Sequence, residues 1–207
     1  MISLSNAVVF GWHSAIMGMR NPMNSWNKSD SVFYSDFSCK IGQNDLDLME
    51  RLIKSGAEHR KFLRMIHVQM DIEAPLYWWK EFDTYKVGTT ANSCSTMHKI
   101  AAKEFTIEDF SVEHLLAENT VYFGKTIERL NNARNKFLET KDKKYWWQMI
   151  QLLPSSYNQL RTVDLNYEVL LNQYFQRKDH KLDEWRIYCE QIKCFPYLND
   201  FIEVLKK

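Results

Sequence analysis

The sequence predicts an α+β fold, a helix-rich single domain over residues 1–207 with a small, mostly antiparallel sheet. Three observations lead there. Apolar side chains recur every three to four residues over most of the chain, the spacing of a helix with one buried face. One stretch alternates strictly between apolar and polar, as a half-buried strand does. Six glycines and four prolines are too few for the turns of a sandwich or barrel, while 45% apolar and 14% aromatic residues supply ample burial. No Pro-, Gly- or Ser-rich linker interrupts the 207 residues, so one core is expected.

Residues 6–10 read as a short strand entering a helix over 11–20, where Trp12, Ile16 and Met19 share a face and Asn21-Pro22 stops the helix. Residues 24–39 have no period and read as an ordered loop pinned by Trp26, Phe33, Tyr34 and Phe37. A helix over 45–55 follows from Leu46, Met49, Leu52 and Ile53, and Gly56 ends it. The clearest strand is 66–73, where Ile66, Val68, Met70 and Ile72 alternate with His67, Gln69, Asp71 and Glu73. Pro75 then opens a helix over 76–85 that carries Tyr77, Trp78, Trp79 and Phe82, an aromatic cluster able to pack on a sheet. After the polar run 88–98, a long helix is expected over 111–137, capped by Ser111 and marked by Leu116, Phe123, Ile127, Leu130 and Phe137. Further helices are expected over 141–153, 162–177 and 180–193, with a short one from Pro196 to Leu205.

The 27 basic and 26 acidic residues nearly cancel and are interspersed, so a nucleic-acid polymer is not the expected partner; a nucleotide monomer, needing only a few placed cations, is compatible. The apolar run over 7–12 is too short for a signal or a membrane span, which predicts a cytoplasmic protein without a membrane partner. Cys39, Cys94, Cys189 and Cys194 are spaced as reduced thiols, and the six histidines contain no pair at metal-ligand spacing, so no metal is expected.

The residues alone name no reaction, because there is no Gly-rich phosphate loop, nucleophile elbow or triad. Order and spacing add more. A wet-faced strand, a Pro-led helix, the polar run 88–98, and later a helix bearing Asn and ending in Arg together resemble the flavin-dependent thymidylate synthases over most of the chain. That family's signature, Arg-His-Arg-x-x-Ser-x-Asn-x-x-Ser-x-Arg-Tyr, holds flavin and dUMP phosphates. With one extra residue after Lys86, its Ser, Asn and Ser fall on Thr90, Asn92 and Ser95. Thr84, Tyr85 and Lys86 replace Arg-His-Arg, and Met97 and His98 replace the final Arg-Tyr. Arginine grips phosphate through a bidentate fork that lysine lacks, so Lys80, Lys86 and Lys99 are the nearby substitutes.

A second block runs from Leu153-Pro154 through Asn166, Leu170-Leu171-Asn172 and Arg177 to Asp183-Glu184-Trp185-Arg186. The resemblance implies that Asn166 and Asn172 touch flavin and that Arg177 reads the pyrimidine edge and stabilises its charge. Glu168 stands where the family has an arginine; a gapped alternative puts Asp164 and Asn166 in the Asn-x-Arg positions. Upstream, His59 is the remaining implied flavin contact, which an exposed loop histidine explains equally. Carried over residue by residue, Lys86, Asn92, Ser95 and Arg177 would hold the substrate, and His59, Tyr85, Lys86, Asn166 and Asn172 would hold FAD. The implied activity is reductive methylation of dUMP or a related pyrimidine nucleotide, with NADPH and methylenetetrahydrofolate as co-substrates, in a homotetramer. The alternative is a non-catalytic nucleotide-binding or protein-interaction module on the same scaffold, with the aromatic loop over 26–37 as its contact surface.

Overall fold

The computed structural model describes residues 1–36 and 38–206. Helices make up 54% of it around a small antiparallel sheet, which bears out the α+β expectation. The elements in chain order are β1 (Ser3–Phe10), α1 (Trp12–Arg20), β2 (Val32–Phe33), β3 (Cys39–Lys40), α2 (Gln43–Lys54), β4 (His67–Pro75) and α3 (Leu76–Phe82). They continue with β5 (Thr89–Ser93), α4 (Thr96–Lys99), α5 (Ala117–Thr140), α6 (Lys143–Leu152), β6 (Asn158–Asn166), α7 (Tyr167–Arg177), α8 (Asp183–Ile192) and α9 (Leu198–Lys206). Four strands form one sheet in the order β1-β4-β6-β5, and β2 pairs antiparallel with β3, Val32 opposite Lys40.

The chain gathers into two compact units, each built from separated stretches. The smaller comprises Met1–Ser3, Ile72–Thr84 and Asn92–Arg161, and the larger Leu4–Asp71, Tyr85–Ala91 and Thr162–Lys207. In the larger unit α2 packs on α9 and α7 on α8, burying Ile16, Met49, Ile53, Leu170, Trp185, Tyr188 and Phe201. Gly11 has φ +95°, and a Cβ there would meet the Met65 carbonyl oxygen at 2.1 Å, so this close backbone approach requires glycine. In the smaller unit α5 packs on α6 around Leu130, Ala133 and Met149, joined by Ile100, Phe105 and Phe110. Trp78, Trp79 and Phe82 of α3 are fully buried, as their clustering suggested.

Strand β4 fulfils the alternation: Val68, Met70 and Ile72 are buried and His67, Gln69 and Asp71 are not. Three expectations need correction. The helix expected over 162–177 is a strand as far as Asn166 and a helix only from Tyr167. In β6, Val163 and Leu165 are buried and Thr162 and Asp164 are not, a period of two masked by the helical pattern that begins at the next residue. The long helix starts at Ala117 rather than at Ser111. Ser111 is buried in extended chain, where Phe110 bridges antiparallel to Tyr157 and the Ser111 hydroxyl donates to Asn158 Oδ1 at 2.9 Å.

The third correction concerns the loop over 24–39. Trp26 and Tyr34 are about half exposed, while Phe33 is half-buried with its ring edge-on to His13; Phe37 lies outside the described residues. The loop is held by charge instead. Arg20 Nε donates to Asp45 Oδ1 at 2.6 Å, and the hydroxyls of Ser29 and Ser31 donate to Asp45 Oδ2 at 2.7 and 2.6 Å. Burial would raise the Asp45 carboxyl, but these hydrogen bonds hold it below the usual carboxylate range. No helix among the described residues is long and apolar enough to cross a membrane.

Candidate functional site

The larger unit carries a hollow of about 480 Å³ where β6 passes into α7. Asn166, the last residue of β6, is the cap of α7: its side-chain oxygen accepts a hydrogen bond from the Val169 N–H at 3.1 Å. Facing it is Gly88, with φ +77°; a Cβ at Gly88 would sit 2.7 Å from the Asn166 amide nitrogen. Asn172, exposed on α7, lines the same hollow, so the two asparagines are brought together although only Asn172 lies inside the helix.

Glu168, also at the hollow, is buried and paired with Arg60, whose Nη2 and Nε lie 2.9 and 3.2 Å from Oε1. The buried Glu168 carboxylate is therefore matched by a cation from the turn before the Lys61–Met65 3-10 helix. Sequence reasoning passed over Arg60, which lines the hollow together with Arg64. The available signal was chemical: a glutamate buried at the start of a helix needs a cationic partner.

Arg177 closes α7. Its Nε donates to the Tyr85 hydroxyl at 2.9 Å, that hydroxyl donates to Gln176 Oε1 at 2.9 Å, and the guanidinium lies 5.1 Å from the Trp185 ring. This arrangement brings Tyr85 and Arg177 together, and neither lines the Asn166 hollow. Lys86 is exposed beside Val87, which lines that hollow. His59 is exposed at a separate apolar depression of about 680 Å³ walled by Met19, Leu52, Phe62 and Met65.

In the smaller unit Ser95 caps α4, its hydroxyl accepting from the His98 N–H at 3.1 Å, and lines a cleft of about 270 Å³ with Lys99, Lys103, Asp109 and Tyr157. A hydrogen bond from Lys103 to Asp109 holds the lysine above its usual range, and burial does the same for Tyr157. Asn92 is exposed on β5. Among the described residues no group of three His, Cys, Asp or Glu side chains is arranged for a metal ion.

No protein-family model matches the chain, and no curated protein does either. Solved structures do match it. A crystal structure of the flavin-dependent thymidylate synthase ThyX from Helicobacter pylori, complexed with FAD and dUMP, superposes with a TM-score of 0.70 over 97% of this chain and 96% of that one, at 15% identity. The fold is that of the flavin-dependent thymidylate synthases. A second structure of Helicobacter pylori ThyX with FAD and dUMP gives 0.71 over 100% of both chains, again at 15% identity. The UMP/dUMP methylase PolB from Streptomyces cacaoi, bound with 5-Br dUMP, gives 0.65 over 100% of this chain and 94% of that one, at 11% identity. At such identities the likeness to thymidylate synthases is one of backbone, and the side-chain chemistry rests on the geometry above.

Proposed function

We propose that the chain binds a pyrimidine nucleotide, dUMP or a close relative, and methylates its C5 reductively, with methylenetetrahydrofolate as one-carbon donor, NADPH as reductant and FAD between them. The observation that carries this reading is a fold shared end to end with proteins crystallised with FAD and dUMP or with a bromo-dUMP. The donor set suits the cofactor. Asn166 and Asn172 offer amides beside the Gly88 backbone, which matches the flat, amide-bearing ring of a flavin, while Arg64 and the exposed Lys86 are cations for phosphate. FAD, once bound and reduced, supplies the methylene relay and the hydride.

The side chains position and stabilise. Arg177, fixed by Tyr85 and Trp185, offers a pre-placed positive charge to the pyrimidine carbonyls, and Tyr85 adds a ring to the flavin contacts. In the smaller unit Ser95 and Asn92 offer a hydroxyl and an amide to phosphate, with Lys99 supplying charge. One observation favours a second reading, a non-catalytic nucleotide-binding module: the Arg60–Glu168 pair leaves the hollow less cationic than the family's arginine would.

An ultraviolet-visible spectrum of the purified protein, followed by calorimetry with dUMP, tests the proposal. A yellow protein that binds dUMP, with affinity reduced by about ten- to a hundredfold in Arg177→Ala, is expected. A colourless protein that binds the nucleotide supports the second reading, and one that ignores dUMP removes both.

A further inference from the structure

On the polar face of the sheet in the larger unit, His67 of β4 stands opposite Asp164 of β6, with Nδ1 2.8 Å from Oδ1. Gln69, two residues along β4, donates to the other carboxylate oxygen at 3.0 Å, so both oxygens of Asp164 are engaged. Phe10 of β1 stacks on the imidazole, ring centroids 5.7 Å apart and planes 21° apart. An ionised carboxylate only accepts, so the Nδ1 facing it carries the ring proton, and in the neutral imidazole the basic atom is Nε2. The two hydrogen bonds hold the Asp164 carboxyl below its usual range against the effect of burial. His67 is 39% exposed, open to a ligand laid on the face. Asp164 and Asn166 are two apart on one strand, so they share this face about 7 Å from each other. The dyad is thus one alternate strand position from Asn166, which lines the hollow.

We propose that His67, oriented by Asp164, accepts the C5 proton of the pyrimidine; this rests on the methylation reading above. Methylation at C5 must break the C5–H bond. As the one-carbon unit bonds to C5, the C5–H electron pair returns to the ring, the proton passes to His67 Nε2, and it leaves later to water from the open face. Asp164 stays ionised and acts as a positioning residue, holding the tautomer and stabilising the imidazolium. The other titratable groups on this face of β4 are Asp71, bonded by Asn6 and Thr162, and Glu73, six residues along the strand from His67; β1 brings none against the ring.

The test is tritium release from dUMP labelled at C5, with FAD, NADPH and methylenetetrahydrofolate, alongside dUMP calorimetry and the NMR signals of the histidine rings. Expected are turnover at least about a hundredfold lower in His67→Asn with dUMP affinity within about threefold of wild type. In Asp164→Asn kcat should fall with KM for dUMP little changed, because the imidazole loses the group that orients it. The ring signal missing in His67→Asn should shift in the wild type when dUMP is added. Wild-type tritium release from His67→Asn, or a His67 signal indifferent to saturating dUMP, overturns this inference alone. If His67→Asn fails to fold, an unchanged kcat in Asp164→Asn overturns it. A wild type that binds no dUMP overturns the methylation reading and the inference with it.

Discussion

Asp45 concentrates the physics of single residues in this protein. It is fully buried, bonded to the Arg20 guanidinium and two serine hydroxyls, and it ties the irregular stretch after α1 to α2. Asp45→Ala leaves the 4%-exposed Arg20 side chain charged without this partner and is expected to cost roughly 3–5 kcal/mol, read by urea unfolding near neutral pH. The folded carboxyl titrates below its unfolded value. Its contribution is therefore complete above the ordinary aspartate range, about pH 4, and is lost as pH falls through the lower folded value. The stability gap between wild type and Asp45→Ala should narrow only in that acid window; a gap of constant size from neutral to acid would refute the linkage.

At the scale of elements, β6 and α7 decide the candidate site. The change of period at Asn166, from two to the helical interval, puts a side-chain cap, a buried glutamate and an exposed amide within seven residues. The two faces of the strand differ sharply: Leu165 is fully buried and Leu160 is 40% exposed. Leu165→Ala is expected to destabilise by roughly 2–5 kcal/mol, whereas Leu160→Ala should change stability by about 0.5 kcal/mol or less. Chemical denaturation of both variants checks this, and equal costs would mean the strand's inward and outward faces are wrongly assigned.

At the scale of the molecule, the sequence resemblance to the flavin-dependent thymidylate synthases implies an assembly, which we propose as a point to test. A homotetramer is expected, so light scattering should report a particle of four 24.8 kDa chains. A monomer at micromolar concentration would refute that expectation. Leu116, Val121 and Tyr122 near the start of α5 are exposed apolar side chains.

What the sequence determined by itself was written in its periods. Strand β4 was legible because burial on one face forces strict alternation, and the aromatic cluster of α3 because large rings near a strand have few places to go but the core. The α+β class followed from those local patterns and the scarcity of turn residues. Short or mixed periods were not legible: β6 runs straight into a helix, and Ser111 resembles a cap but is used in extended chain. Only the tertiary structure decided that Arg60 answers Glu168, that Tyr85 and Trp185 hold Arg177, and that His67 meets Asp164 across 97 residues. Those pairings join residues far apart in the chain, and a one-dimensional pattern carries the spacing along one element but not which faces of different elements come together.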